Sequence, residues 1–170
     1  MLRTVPLLVA LAAIPAFAMP RPHSDDEWLD VATHVVSAKV DGIAFTIQLP
    51  VDLGENNPRD ATSREWRDDG DYYGQPHVTV TTYDYDFPKT LKEAESTFAT
   101  SDLTVIKSEL TKDRYTSVTK TKTFVTVNVL VRAGKKVLHC EAGKSHVPAM
   151  TNQDKLAPWY EKLCASMKPR

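Results

Sequence analysis

The sequence predicts an α+β domain, an antiparallel β-sheet flanked by helices. Three observations carry that prediction. Short runs with period-two alternation follow one another along most of the chain, some joined by tight-turn residues. Only two longer stretches, around Leu91–Phe98 and Leu156–Met167, repeat their apolar residues at helical spacing. Long helices do not separate the strands, as the crossovers of a parallel sheet would require.

The chain opens on a different kind of signal. Arg3 precedes an apolar run from Val5 to Pro15, and Ala16-Phe17-Ala18 is a small-x-small ending. This order reads as a secretory signal peptide over residues 1–18, cleaved after Ala18. The run is shorter than the roughly 20 residues that a spanning helix needs. Residues 19–34 read as a Pro-rich leader followed by a short helix. There Ser24-Asp25-Asp26-Glu27 has capping-box spacing, with Trp28, Leu29 and Ala32 behind it. A single α+β domain is expected over 35–170.

Val36–Val40 and Ile43–Leu49 alternate on either side of Asp41-Gly42, the strongest short hairpin signal. Ile43, Phe45, Ile47 and Leu49 share one face, and Pro50 ends the strand. Asp52–Pro76 is rich in Gly and acids, carries Trp66, Tyr72 and Tyr73, and has no period, so it reads as a long loop. Val78 and Val80 open the next strand. The change of parity to Tyr83, Tyr85 and Phe87 predicts a bulge near Thr81-Thr82.

Thr90-Leu91-Lys92-Glu93 is a second capping box, before a helix with Leu91, Ala94 and Phe98 on one side. Strands follow around Leu103 and Val105, over Tyr115–Thr121, over Val125–Val131 and over Val137–Ala142. In the last of these, Leu138, Cys140 and Ala142 share the inward parity. The closing helix carries Leu156, Tyr160, Leu163, Cys164 and Met167 as one stripe, with Pro158 tolerable if it lies within the first turn. Cys140 and Cys164 are the only cysteines. In an oxidising compartment an even pair reads as a disulfide, here one that staples the last helix to the sheet.

This order resembles the Mog1/PsbP-like α/β/α sandwich superfamily, with small secreted bacterial members. The likeness is carried by the Gly42–Pro50 strand, the Tyr-rich strand, the Thr-Leu-Lys-Glu-Ala helix, the antiparallel strands and the closing helix. It covers residues 35–168. It implies adaptor or binding behaviour without a common active site, and no functional residue transfers to this chain.

Charge is balanced, with a net of −1, and no basic run points to nucleic acid or to an anionic membrane. No second long apolar segment spans a membrane. Several constellations have candidate chemistry. His139 and Glu141 share a strand face and, with His146, would make a metal site, against the plainer account of a covered or solvated sheet face. Cys140 or Cys164 beside His139 would make a nucleophile, which a disulfide abolishes. Arg67-Asp68-Asp69-Gly70-Asp71 would hold Ca²⁺ but lacks EF-hand spacing. His34 and His77 stand alone. No cofactor or metal is therefore expected. The aromatic residues Trp66, Tyr72, Tyr73, Tyr83 and Tyr85 are the residue types that interface hot spots use, and they are the expected binding residues. The expected function is a secreted or periplasmic non-enzymatic binding or adaptor domain with a protein partner. The alternatives are a secreted hydrolase using His and Asp residues, or a carrier of an apolar ligand between sheet and helix.

Overall fold

Asp41 and Gly42 adopt φ of 43° and 84°, the two positive values that a type I′ hairpin demands. They join β1 (Thr33–Val40) to β2 (Ile43–Pro50) in register from Thr33↔Pro50 to Val40↔Ile43, as the Asp-Gly signal predicts. The computed structural model describes residues 25–56, 61–68, 76–98, 102–121, 124–144 and 153–170. The expected signal peptide, 1–18, and residues 19–24 of the expected leader lie outside these residues. A short strand near the C-terminus, β10 (Lys168–Pro169), pairs with the far side of β2 and completes a three-stranded sheet.

The second sheet holds β3 (Gly54–Asn56), β4 (Ser63–Arg67), β5 (Pro76–Tyr83), β6 (Thr104–Leu110), β7 (Arg114–Lys120), β8 (Val125–Ala133) and β9 (Lys136–Lys144). Its order is β3-β4-β5-β9-β8-β7-β6, antiparallel throughout. Gly134, with φ of 68°, takes the first position of the two-residue turn between β8 and β9, where a type II′ turn wants glycine.

Strand alternation sends two sets of side chains to opposite faces of this sheet. Val78, Val80, Val127, Val129, Leu138, Cys140 and Ala142 enter the larger core. There they meet Phe45, Ile47 and Leu49 of β2 and the stripe of α3 (Gln153–Ala165), continued by Met167. Trp28 of α1 (Asp25–Leu29) closes one end against Trp159, with ring centroids 6.2 Å apart. On the opposite face Phe87 and Ala94 pack on Tyr115, Leu130 and Val137. Ala94 belongs to α2 (Leu91–Phe98), so helices cover both faces. The Thr90 hydroxyl accepts from the Glu93 amide at 3.2 Å, and the Glu93 carboxylate reaches back to the Lys89 amide at 2.9 Å. The hydroxyl half of the predicted cap is in use, and the carboxylate half reaches one residue further back than the capping box places it.

Cys140 and Cys164 form the disulfide, with Cα atoms 5.6 Å apart, and it ties α3 to β9. Arg114 holds the same, C-terminal end of that helix: its guanidinium donates to the carbonyls of Ala165 at 2.6 Å and Met167 at 3.0 Å. Carbonyls that the helix itself leaves unpaired are thereby satisfied.

Three sequence expectations are corrected. The stretch 52–76 is not all loop: β3 and β4 lie in it, too short for a period to show. There is no bulge at Thr81-Thr82, because β5 pairs with β9 in unbroken register. The parity changes because the strand ends at Tyr83, so Tyr85 and Phe87 follow no strand alternation. The register instead shifts between Val105 and Lys107 in β6, leaving Ile106 exposed. Finally, Pro158 is the sixth residue of α3 rather than part of its first turn. It sits on the exposed side of the helix.

Candidate functional site

Cross-strand pairing assembles a polar row on the α2 side of the large sheet. Asn56, Glu65, Thr79, Glu141, Asn128, Ser117 and Ser108 are successive partners from β3 to β6. Each strand supplies one residue, and partners in an antiparallel pair share a face. Helix α2 covers only one part of this side, where Ser108 donates to Glu95 at 2.5 Å. Glu65, Thr79 and Glu141 remain half-buried. Glu65 and Glu141 flank β5, so their backbones stand two strand spacings apart, roughly 9–10 Å. Asn56 donates to Glu65 at 2.9 Å.

His77 lies one row further on, paired with Gly143. A side chain at Gly143 would come within 3.3 Å of the Val125 carbonyl and 3.7 Å of the His77 ring, so the backbone passes close beneath the imidazole. Burial lowers the His77 pKa, although the charges of Glu141 and Glu65 pull the other way. Its ring is therefore neutral near pH 7. The Nδ1 atom is buried without a hydrogen-bond partner.

Toward the opposite end of the face an aromatic cluster begins. Tyr83 stacks on Tyr85 with centroids 5.2 Å apart and rings 25° from parallel. Tyr83 also lies 5.6 Å from the His139 ring, and Phe98 of α2 lies 5.3 Å from it on another side. His139 is enclosed, with Nε2 3.0 Å from the Asn128 side-chain oxygen, and burial drives its pKa down to about 4. Burial, helped by the neighbouring Tyr83, pushes the Tyr85 hydroxyl up to about 12. These groups offer stacking and hydrogen bonding, and the shifts of His139 and Tyr85 both run away from neutral pH.

The expected binding residues separate in space. Trp66 is 2% exposed and meets the Phe45 ring edge-on at 6.4 Å, so it belongs to the large core and is not a contact residue. Its position on β4 gives it the inward parity of its partner Val78. Tyr72 and Tyr73 lie outside the described residues. Tyr83 is 40% exposed and Tyr85 half-buried, so these two form a surface pair. His139 points into a covered face, and His146, the third member of the suggested metal trio, lies outside the described residues. Among the described residues no group of His, Cys, Asp or Glu has metal-holding geometry. Asp68 is buried, while residues 69–71 of the acidic turn lie outside the described residues. The disulfide leaves neither sulfur as a thiol. The stripe of α3 packs into the larger core, and two grooves among the described residues lie beside the helix. Sequence reasoning left His77 standing alone and did not single out Glu65 or Thr79; the parity of β5, which puts His77 and Thr79 on one face, was the available signal.

No protein-family model matches the chain, and no curated protein matches it in sequence. Solved structures do. The solution structure of cyanobacterial PsbP (CyanoP) from Synechocystis sp. PCC 6803 superposes with a TM-score of 0.55 at 11% identity, covering 82% of this chain and 94% of that one. A protein from Bacteroides thetaiotaomicron VPI-5482 gives a TM-score of 0.41 at 9% identity, over 74% of this chain and 45% of that one. The likeness to PsbP is one of fold: this chain has the Mog1/PsbP-like architecture that its element order implies.

Proposed function

We propose that this protein is a non-enzymatic binding or adaptor domain that works outside the cytoplasm, secreted or periplasmic, after loss of residues 1–18. Its partner is a protein, met at the Tyr83–Tyr85 end of the large sheet. The observation that carries this reading is the stacked tyrosine pair, one ring exposed, at the margin of a polar sheet face. Such rings supply contact area at small entropic cost. The disulfide accords with an oxidising compartment. Among the described residues no helix is long and apolar enough to cross a membrane. Tyr72 and Tyr73 join the reading from sequence alone.

A photo-crosslinking amino acid at position 83, in the protein exported by its own host, tests it. The expected result is a discrete protein adduct that Tyr85→Ala weakens. No adduct from position 83, with adducts from a remote site such as Lys89, would overturn the placement.

One observation favours a second reading, a secreted hydrolase: His77 lies in the field of Glu141 and Glu65. Hydrolysis of model esters or glycosides that His77→Ala abolishes, in a variant that melts like the parent protein, would move the protein to that class.

A further inference from the structure

The small sheet turns one face into the core and the other outward, and the outward face is basic. Val35, Ser37 and Lys39 of β1 alternate outward, opposite Gln48, Thr46 and Ala44 of β2. On the far side of β2, Lys168 pairs with Thr46, and the Arg170 amide donates to the Ala44 carbonyl at 2.9 Å. Lys39 and Arg170 thus stand at two ends of one row, and Lys168 stands in the next. Lys162 joins them from α3, across a groove of about 450 Å³. Among the residues lining that groove are Lys162, Lys168, Thr46, Gln48 and the exposed Val35, and the lining includes no carboxylate.

All of these cations are exposed, and none has an ion-pair partner among the described residues. Some lysines elsewhere are paired: Lys107 with Glu161, Lys136 with Asp41 and Asp84, Lys155 with Asp26. In a chain of net charge −1, this groove gathers Lys162 and Lys168 without an acid in its lining, while Glu109 and Glu161 line the next groove, on the other side of Lys162. The C-terminal end of α3 opens nearby, and its carbonyl dipole would oppose an anion. Arg114 offsets that by donating to the carbonyls of Ala165 and Met167, which leaves Lys162 and Lys168 free.

We infer that the outward face of the small sheet, from Lys39 and Arg170 to the Lys162–Lys168 groove, docks an acidic, partly aliphatic segment of a protein partner. Charge complementarity selects the acid. Val35, 62% exposed between the polar rows, selects the aliphatic component. The face is concave where its lysines converge, a shape that a planar lipid surface does not enter. Among the described residues it carries no aromatic side chain for stacking bases, as single-stranded nucleic acid would use. The groove lining lies at the C-terminal end of α3, not at a helix N-terminus, so a small phosphate lacks that cradle there. This face lies on the other side of the layered molecule from Tyr83 and Tyr85, so it is a second surface, independent of the one proposed above.

The test is binding of a labelled synthetic peptide of alternating Glu and Leu to the mature, disulfide-bonded protein, followed by fluorescence anisotropy. We expect saturable binding that weakens on the order of tenfold or more at high salt, because exposed charges are screened there. Lys162→Glu with Lys168→Glu should abolish it at an unchanged melting temperature. Lys89→Glu with Lys92→Glu, on the α2 side, should leave it intact. Equal loss in both double variants would reduce the effect to net charge and overturn the inference. So would binding to phosphatidylserine vesicles or to inorganic phosphate that Lys162→Glu/Lys168→Glu removes while the acidic peptide fails to bind. Loss of the Tyr83 crosslink leaves this result untouched, and the two surfaces therefore fail separately.

Discussion

Two aromatic residues of similar appearance in the sequence have opposite fates. Trp66 fills the large core against Phe45, whereas Tyr83 presents a third or more of its surface to solvent. Truncating a buried tryptophan removes transfer energy and leaves a cavity, so Trp66→Ala should cost about 3–5 kcal/mol in denaturant unfolding. Tyr83→Ala should lie within about 1 kcal/mol of the parent protein. Comparable losses for the two would show that Tyr83 supports the core. His139 makes a second prediction at this scale. Its folded pKa, about 4, lies below the ordinary value of 6.5 because burial disfavours the imidazolium. Between these values the unfolded chain binds the extra proton, so stability is full above pH 6.5 and is lost as pH falls toward 4. The full shift corresponds to about 3 kcal/mol, and His77, also lowered by burial, acts in the same direction. His139→Asn should flatten that part of the stability–pH curve. An unchanged slope would assign the acid sensitivity to other groups.

Among the elements, α3 is held by a covalent tie at Cys164, by Arg114 at its C-terminal end and by its apolar stripe. Closing a loop with a sequence separation of 24 residues contributes about 3 kcal/mol in the chain-entropy model. Reduction should lower the melting temperature and raise amide exchange first in α3, while β8 and β9 stay protected. Uniform loss of protection would show that the helix is not a separable unit. Pro158 is the weak point of the same element. Proline donates no amide proton and crowds the carbonyl four residues back, yet this one lies well inside the helix. Because its side chain is exposed, Pro158→Ala should stabilise the protein by about 1–3 kcal/mol. A neutral or destabilising outcome would mean that the helix has bent to suit the ring.

For the molecule as a whole, the layered arrangement leaves both proposed surfaces outside the shared core. The large sheet spends one face on α3 and the small sheet and only part of the other on α2. The small sheet spends its inward face on the same core, and its outward face is left to solvent. Export belongs to this scale as well. N-terminal sequencing of the protein recovered from its host should begin at Met19, and retention of residues 1–18 would refute the cleavage after Ala18.

What the sequence by itself determined was everything governed by neighbours along the chain. Asp41-Gly42 dictated its hairpin because only residues tolerant of positive φ make that turn. Thr90 and Glu93 dictated the start of α2, and the parity of Cys140 with the stripe position of Cys164 made their disulfide legible. Elements too short to show a period were not legible: β3 and β4 passed for loop, and Trp66 with them for surface. Which face each half-polar strand would show was decided only by tertiary structure. The polar row draws one residue from each of seven strands, and the basic face joins Lys39 to Lys162, Lys168 and Arg170 across most of the chain. Charge acts through space, so residues far apart in sequence sum to a field only after the sheets and α3 have packed.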